Sequence, residues 1–276
     1  MTPAPPLAGV MGWPVAHAKS PLLHRHWLAR YGLPGVYVHL SVAPADFEAA
    51  MRGLPALGFV GANVTLPHKL EALRLADAAT SRARRIGAAN TLTVRDGAIL
   101  ADNTDGFGFI ENLRQTAPAW RAEAGPALVL GAGGAARAVV AALLDAGAPE
   151  VRLVNRTRAR AEALAEGVGG PVEVLEWDAA EAAMDGCATL VNTTSLGMVG
   201  QPPLTLRLDA APVGALATDI VYAPLDTPFL QAARARGLAT VDGLGMLLHQ
   251  GRPGFEAWFG RAPEVDAALR QAVLAA

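Results

Sequence analysis

A glycine-rich turn between an apolar strand and an apolar helix is the feature that most constrains the fold of this chain. The segment ALVLGAGGAARAVVAALLDAG places Gly131, Gly133 and Ala136 in the spacing G-x-G-x-x-A, directly after the predicted strand. Gly131 permits the tight turn, while Gly133 and Gly134 leave room for a pyrophosphate, which the N–H groups at the helix N-terminus can bind. The segment predicts a dinucleotide site of the Rossmann type, and a purely structural glycine turn is the alternative.

The next predicted strand indicates which dinucleotide binds. An NAD site usually carries an acidic residue at the end of this strand, where it accepts a hydrogen bond from the ribose 2′-hydroxyl. In this chain the segment reads VRLVNRTRAR, so Asn155 stands in place of the carboxylate, and Arg156 and Arg160 follow it. Two guanidinium groups can hold a 2′-phosphate through charge-assisted hydrogen bonds. We therefore expect NADP rather than NAD, with a solvated helix start as the alternative interpretation.

A second segment, GANVTLPHK at residues 61–69, places polar side chains and one cation where a buried strand ends. Asn63 and Thr65 supply hydrogen-bonding groups, and Pro67 ends the pairing of the strand because it lacks a backbone donor. Lys69 follows at the start of a predicted helix. The segment is typical of a binding site at a strand end, and a solvated lysine on an ordinary helix is the alternative.

The overall composition favours a small molecule as the partner. The net charge is -2 and the basic residues are dispersed along the chain, which argues against nucleic acid and anionic membranes. The single cysteine, Cys187, excludes an internal disulfide and a multi-cysteine metal site, and we expect it to pack in an apolar segment. The N-terminal segment MTPAPPLAGV lacks the pattern of a secretory signal. We expect a cytoplasmic protein that is a monomer or a homodimer.

The length and the order of the apolar segments predict an α/β protein of two domains. A chain of 276 residues exceeds the usual size of one core, and short apolar runs punctuated by 29 glycines suit strands buried in a parallel sheet. Strand-like and helix-like segments alternate up to a boundary near residue 105, with one helix expected over 68–79. A second β-α-β series runs to residue 244, and residues 245–276 are mostly helical.

Nine motifs that occur in one order along nearly the whole chain resemble those of the shikimate dehydrogenase family. They read GWPVAHAKSPLLH, GANVTLPHK, GAANT, NTDGFG, GAGGAARA, NRT, NTTSLGM, DIVYAPLDTPFL and DGLGMLLHQ. The resemblance implies the NADP-dependent interconversion of 3-dehydroshikimate and shikimate, in the pathway to aromatic amino acids. It also implies that residues 1–105 form an α/β substrate-binding domain and residues 106–244 a doubly wound Rossmann domain. Residues 245–276 then form helices that return to the substrate domain.

The resemblance also assigns roles to individual residues. The family's catalytic pair falls on Lys69 and Asp105, and a ketone reduction requires a proton at oxygen besides the hydride at carbon. An ordinary lysine is protonated at neutral pH and can donate that proton, while stabilisation of a developing alkoxide is the alternative role. The residues that match substrate contacts are Ser20, Asn63, Thr65, Lys69, Asn90, Asp105, Tyr222 and Gln250. The residues that match cofactor contacts are Gly131, Ala132, Gly133, Gly134, Ala135, Asn155, Arg156, Thr157, Arg160, Thr193, Ile220 and Gly243.

Several alternatives stay open at these positions. Asp105 precedes a helical segment, and a role as the N-cap of that helix is the alternative. Tyr222 and Thr227 either shape the nicotinamide side of the site or form a turn around a packed tyrosine. A non-catalytic metabolite sensor of the same fold is disfavoured because both Lys69 and Asp105 are present. The histidines show no metal-ligand clustering, so we expect no metal.

The chain departs from the family pattern at one position of its first motif. The family's Ser-x-Ser, which binds the substrate carboxylate, reads Ala18-Lys19-Ser20 here, so one hydroxyl is missing. A hydrogen bond to a charged group contributes about 1.5 to 3 kcal/mol, so the loss could lower substrate affinity roughly 10- to 100-fold. Three interpretations follow: a weakened shikimate enzyme, an enzyme that prefers quinate or another cyclic polyol acid, or a site rebuilt by substitution.

Overall fold

In the computed structural model, which describes residues 4–275, two six-stranded β-sheets organise the fold. The chain divides into two units. The first contains the described residues up to Thr104 and those from Leu247 onward, and the second is Asp105–Met246. Each unit combines one sheet with helices, which confirms the predicted α/β class. The first three residues of the N-terminal segment, and residue 276, lie outside the described residues.

The first sheet belongs to the first unit and mixes parallel with antiparallel pairs. Its strands are β1 (Leu7–Gly12), β2 (Val36–Ser41), β3 (Phe59–Val64), β4 (Ala78–Ala79), β5 (Thr91–Arg95) and β6 (Ala98–Asp102). The helices between these strands are α1 (Ser20–Tyr31), α2 (Phe47–Gly53), α3 (Lys69–Leu75) and α4 (Ser81–Ile86). The strand order is β2-β1-β3-β5-β6-β4, with β1 parallel to both of its neighbours and β5 antiparallel to both of its own.

The helix expected over 68–79 is shorter in the structure, because α3 ends at Leu75. The next residues join the sheet instead. The Asp77 N–H donates to the Ile99 carbonyl at 3.0 Å, and the Ile99 N–H donates to Asp77 Oδ2 at 2.7 Å. Ala78–Ala79 then pair with β6 as β4. Sheet pairing, which is a tertiary contact, overrides the helix propensity of these alanines.

The second sheet is parallel and has the doubly wound order of a dinucleotide-binding domain. Its strands are β7 (Ala127–Leu130), β8 (Val151–Val154), β9 (Val172–Leu175), β10 (Thr189–Asn192), β11 (Leu216–Asp219) and β12 (Ala239–Val241). The accompanying helices are α5 (Asp105–Thr116), α6 (Gly134–Asp145), α7 (Arg158–Val168) and α8 (Pro228–Ala235). The order β12-β11-β10-β7-β8-β9 reverses between β7 and β10. Ligands of such sheets bind outside the carboxyl ends of the strands at this reversal.

The two C-terminal helices are α9 (Leu244–Phe259) and α10 (Ala267–Leu274), and the described residues from Leu247 onward belong to the first unit. The Trp258 indole N–H donates to the Leu92 carbonyl of β5 at 3.0 Å. Gly61 of β3 makes room for this contact, since a Cβ there would lie 2.1 Å from Trp258 Nε1. The indole N–H of Trp27 in α1 likewise donates to the Glu264 carbonyl at 2.8 Å.

His24 is fully buried among aromatic rings of the first unit. Its ring stacks on Tyr37 with centroids 4.0 Å apart and lies 5.6 Å from Trp27 and 5.8 Å from Phe255. Neither ring nitrogen has a hydrogen-bond partner among the described residues. Burial lowers the pKa of His24 to about 3, and the Asn63 side chain opposes this effect only in part. The imidazole is therefore neutral in the folded protein at neutral pH.

This burial predicts a loss of stability in mild acid that depends on His24. Below pH 6.5 the unfolded chain takes up a proton that the folded protein cannot, so the free energy of unfolding falls by about 1.4 kcal/mol per pH unit towards pH 3. Between pH 6.5 and pH 5 the wild-type protein should therefore lose about 1.6 kcal/mol of unfolding free energy through His24, and urea unfolding at the two pH values should show that His24→Phe does not lose this part. His17→Phe, at an exposed position, is the control. An unchanged acid loss in His24→Phe would contradict this origin.

Candidate active site

The polar end of β3 begins a buried hydrogen-bond network in the first unit. Asn63 is only 4% exposed, and its Oδ1 accepts a hydrogen bond from the Tyr37 hydroxyl at 2.7 Å. Its Nδ2 donates to the Asn90 carbonyl at 3.1 Å and to Thr91 Oγ1 at 3.3 Å. These partners on both sides fix the direction in which the Asn63 carboxamide points.

The network continues from Asn90 to α9. Asn90 Nδ2 donates to Gln250 Oε1 at 3.2 Å, although the two residues are 160 positions apart. Asn90 Oδ1 accepts from the Thr104 backbone N–H at 2.8 Å, and Thr104 Oγ1 donates to the Gln250 carbonyl at 2.9 Å. The structure thus brings together Asn63, Asn90 and Gln250, three residues that the family resemblance marks as substrate contacts.

Backbone contacts connect Lys69 to the segment that carries Asn90. The Ala89 N–H donates to the Lys69 carbonyl at 2.8 Å, and the Val64 N–H donates to the Asn90 carbonyl at 2.8 Å. Lys69 is the first residue of α3 and is partly buried, as is Thr65 just beyond β3. The end of β3 and the start of α3 are therefore both held against one short segment.

The first motif contributes one buried hydroxyl, that of Ser20. This residue begins α1 and is 6% exposed. The neighbouring Lys19 ammonium donates to the Val273 carbonyl at 2.9 Å, so it is engaged with the C-terminal segment. Ala18 offers a methyl group, and its carbonyl accepts from His39 Nε2 at 3.0 Å. The motif therefore carries a single hydroxyl where the family pattern has two.

Asp105 is the first residue of α5 and of the second unit, and it directly follows Thr104 in the chain. The side chain is 6% exposed. Helix α5 packs closely on α6, because a Cβ at Gly106 would lie 2.8 Å from the Ala138 carbonyl and 2.9 Å from Ala142 Cβ. This packing holds the first turn of α5, and Asp105 with it, within the second unit.

The glycine-rich turn lies at the carboxyl end of β7, where the sheet order reverses. Gly131 has a φ of +105°, and a Cβ there would lie 2.8 Å from Thr193 Oγ1. The Thr193 hydroxyl in turn donates to the Leu130 carbonyl at 2.7 Å. A Cβ at Gly133 or Gly134 would meet nothing within 4 Å, so the turn is open at the N-terminus of α6. This open, donor-rich turn suits a pyrophosphate.

Asn155 supports this turn from the end of β8. Its Oδ1 accepts from the Ala132 N–H at 3.2 Å, and its Nδ2 donates to the Thr157 carbonyl at 2.8 Å. The amide therefore bridges the two loops that follow β7 and β8. A carboxylate at this position could accept from the Ala132 N–H, but it could not donate to the Thr157 carbonyl, because it has no N–H group.

The arginines after β8 differ in their surroundings. Arg158 forms ion pairs with Glu162 and Glu176, each at 2.7 Å. Arg156 and Arg160 are exposed, and neither guanidinium has a hydrogen bond or ion pair with another described residue. The positive charges of Arg156 and Arg160 are therefore not neutralised by an acidic side chain of the described residues, whereas that of Arg158 between them is. Both lie after β8, where a 2′-phosphate is expected.

A buried carboxylate, Asp219, joins the loops after β10 and β11, and the sequence interpretation gave it no role. It accepts from Asn192 Nδ2 at 3.0 Å, from the Val221 N–H at 2.9 Å and from the Thr227 hydroxyl at 2.8 Å. Burial raises its pKa, while the Asn192 and Val221 hydrogen bonds lower it in part. The sequence does contain a sign of this contact, because two adjacent strands each end in a polar residue, Asn192 and Asp219. Thr227 is fully buried and caps α8, so its hydroxyl is used within the turn.

The candidate cofactor residues Ile220 and Gly243, and the candidate substrate residue Tyr222, lie in the loops that follow β11 and β12. A Cβ at Gly243 would lie 2.4 Å from the Ile220 carbonyl, so glycine allows these two loops to approach each other. Tyr222 is partly buried, and this burial raises its pKa. These positions share the carboxyl edge of the sheet with the glycine-rich turn.

Cys187 is buried, as predicted, and is unsuited to thiolate chemistry. Its thiol donates to the Ala183 carbonyl at 3.2 Å, and burial raises its pKa to about 11. Among residues 4–275, no group of three or more His, Cys, Asp and Glu side chains could hold a metal ion. Nor does any helix in this part of the chain have both the length and the apolar character required to cross a membrane.

Comparison with protein families gives three consecutive matches along the chain. The model of a shikimate dehydrogenase substrate binding domain matches residues 10–92, and the model of shikimate / quinate 5-dehydrogenase matches residues 115–197. The model of the shikimate 5′-dehydrogenase C-terminal domain matches residues 243–274.

Individual relatives are similar over nearly their full length. A shikimate dehydrogenase (NADP(+)) from Rhodospirillum rubrum is 64% identical, over 97% of this chain and 96% of that protein. The crystal structure of shikimate 5-dehydrogenase from Thermus thermophilus, in complex with NADP(H) and shikimate, has a TM-score of 0.87 and 38% identity, covering 98% of this chain and 99% of that one. Quinate dehydrogenase from Corynebacterium glutamicum in complex with NAD has a TM-score of 0.92 and 27% identity, covering 99% and 100%.

Proposed function

The chain belongs to the shikimate dehydrogenase family, and we propose that it catalyses the NADP-dependent, reversible reduction of 3-dehydroshikimate to shikimate. The observation that carries this function is the 64% identity, over 97% of the chain, to a shikimate dehydrogenase (NADP(+)). The protein is therefore an oxidoreductase that acts on a CH–OH group. Its product serves the pathway to aromatic amino acids.

We propose that residues 1–105, together with 245–276, form the substrate-binding domain and that 106–244 form the NADP-binding domain. The buried amide network of the first unit supports the first assignment, because ring hydroxyls need fixed amide and hydroxyl partners. The doubly wound sheet order of the second unit supports the other assignment. We further propose a cytoplasmic enzyme that is a monomer or a homodimer, and the lone buried Cys187 suits a reducing compartment.

In the substrate domain, we propose that the ring hydroxyls bind to amide and hydroxyl groups whose orientation is already fixed. Ser20 would hold the carboxylate. The other residues of this domain that we propose as substrate contacts are Asn63, Thr65, Lys69, Asn90, Asp105 and Gln250, and Tyr222 of the NADP-binding domain is proposed as a further contact. The support is the network that orients Asn63, Asn90 and Gln250 through partners on both sides of each carboxamide.

In the NADP domain, the residues fit the pyrophosphate and the 2′-phosphate of the cofactor. NADPH, when bound, supplies the hydride. We propose that the open turn and the N-terminus of α6 hold the pyrophosphate and that Arg156 and Arg160 hold the 2′-phosphate, because neither guanidinium is neutralised within the described chain. The other proposed contacts are Gly131, Ala132, Gly133, Gly134, Ala135, Asn155, Thr157, Thr193, Ile220 and Gly243.

We propose that Lys69 and Asp105 handle the proton of the reaction. A lysine ammonium can donate a proton to the oxygen of a ketone as hydride reaches the carbon, and a carboxylate can assist the reverse step. The support is the position of Lys69 at the start of α3, where the Ala89 N–H holds its backbone carbonyl at 2.8 Å.

Absorbance of reduced nicotinamide tests the proposed function directly. Shikimate and quinate are each offered with NADP and with NAD, and kcat/KM is compared among the four pairs. We expect shikimate with NADP to give the highest value. A higher value for quinate, or for NAD, would contradict the proposed substrate or cofactor.

Restoring the missing hydroxyl should strengthen substrate binding. We expect Ala18→Ser to lower KM for shikimate by up to roughly 10-fold with little change in kcat, because a hydroxyl would regain a hydrogen bond to the carboxylate. Steady-state kinetics at saturating NADP measure this effect. Ala16→Ser, at an exposed position of the same loop, is the matched control. An unchanged KM in Ala18→Ser would mean that another group already fills this role.

A further inference from the structure

Tyr37 lies outside every motif of the sequence, yet its hydroxyl reaches the substrate network. It belongs to β2 and is 1% exposed. Strand β1 separates β2 from β3 and pairs Ala8 with Tyr37 and Val10 with Asn63. Ala8 and Val10 are two positions apart, so all these side chains lie on one face of the sheet. The phenol crosses β1 on that face to donate to Asn63 Oδ1 at 2.7 Å.

The ring of Tyr37 is held in place by α1. Its face stacks on His24, with the two rings 3° from parallel. His24 lies one turn after Ser20 on the same face of α1. The same helix therefore supports the ring of Tyr37 and carries Ser20, the residue predicted to bind the substrate carboxylate. Burial raises the pKa of Tyr37 well above its usual value, with a smaller opposing effect of the Ser20 side chain. The phenol therefore keeps its proton and acts as a donor.

A fixed donor at this position determines the orientation of the amides that follow. Because Tyr37 donates, the oxygen of the Asn63 carboxamide faces it and the nitrogen faces Asn90 and Thr91. We propose that Tyr37 is a positioning residue of the substrate site, which sets the orientation of Asn63 for the ring hydroxyls. This inference rests on the proposed function and adds to it a residue that acts through Asn63.

The variant Tyr37→Phe tests this role because it removes the hydroxyl and keeps the stacked ring. We expect KM for shikimate to rise about tenfold, since a buried acceptor on Asn63 loses its donor. KM for NADP should stay within about twofold of wild type, which a general loss of structure would not allow. The matched control is Tyr31→Phe, since the Tyr31 hydroxyl accepts from the Glu264 N–H at 3.0 Å in the same unit. Thermal unfolding reports whether both variants are folded.

A double-mutant cycle shows whether Tyr37 acts through Asn63. In an Asn63→Ala background, Tyr37→Phe should change KM for shikimate by less than about twofold, because the group that it positions is gone. An unchanged KM for shikimate in the single variant, or an equal rise in both backgrounds, would overturn the inference. A failure of the proposed function would give a different result from a failure of this inference, because the wild-type protein itself would then not reduce NADP with shikimate.

Discussion

Replacing Lys69 with alanine should lower kcat for shikimate oxidation at least about 100-fold while NADP still binds. A positioned acid or base typically contributes about 100- to 10,000-fold to a rate. The chain contains 21 arginines and only two lysines, so lysine at this position is unusual for its composition. Arginine keeps its proton at all ordinary pH values, whereas lysine can give one up, which agrees with a proton-transfer role. Steady-state kinetics give kcat, and NADP titration by calorimetry gives the binding constant.

A second variant separates proton transfer from charge. If Lys69 donates the proton, Lys69→Arg should be nearly as slow as Lys69→Ala, because the guanidinium holds its protons. If the ammonium only stabilises the alkoxide, Lys69→Arg should recover much of the rate. Arg74→Ala is the control on the same helix, since Arg74 is exposed and paired with Glu71. Near-normal turnover in Lys69→Ala would remove Lys69 from the mechanism.

The parts of the fold that could be predicted from the sequence are those that depend only on residues close together in the chain. The turn at Gly131 requires a positive φ, and the open space at Gly133 and Gly134 follows from the lack of side chains. Strand, turn and helix are contiguous here, so the spacing of glycines was sufficient to predict them. The end of α3 was not predictable in this way, because it depends on Asp77 pairing with Ile99, 22 positions away.

The substrate network was predictable only as a set of family positions. Nothing local to Asn90 indicates that its amide will contact Gln250, since this contact requires α9 to pack in the first unit. Tyr37 gave no signal at all, because an aromatic residue in a strand usually fills a core. Its role depends on the strand order β2-β1-β3, in which an intervening strand carries the small residue Ala8 opposite the phenol.

The two free guanidinium groups after β8 lead to the second large expected effect. Arg158 lies between them in sequence, yet Glu162 and Glu176 neutralise it. Arg156 and Arg160 have no such acidic partner among the described residues. An anion at this position therefore does not have to break an existing ion pair to reach them. The 2′-phosphate of NADP is such an anion, and NAD lacks it.

The double variant Arg156→Ala/Arg160→Ala should raise KM for NADP about 100-fold or more, because each charge-assisted hydrogen bond contributes about 1.5 to 3 kcal/mol. KM for NAD should change less than about twofold, so the cofactor preference collapses while kcat with shikimate persists at saturating cofactor. The matched control is Arg158→Ala, which removes the same charge from the same segment but leaves acidic partners behind. An NADP KM near that of wild type would refute the assignment. An equal rise for NAD would do the same, because it would show a role unrelated to the 2′-phosphate.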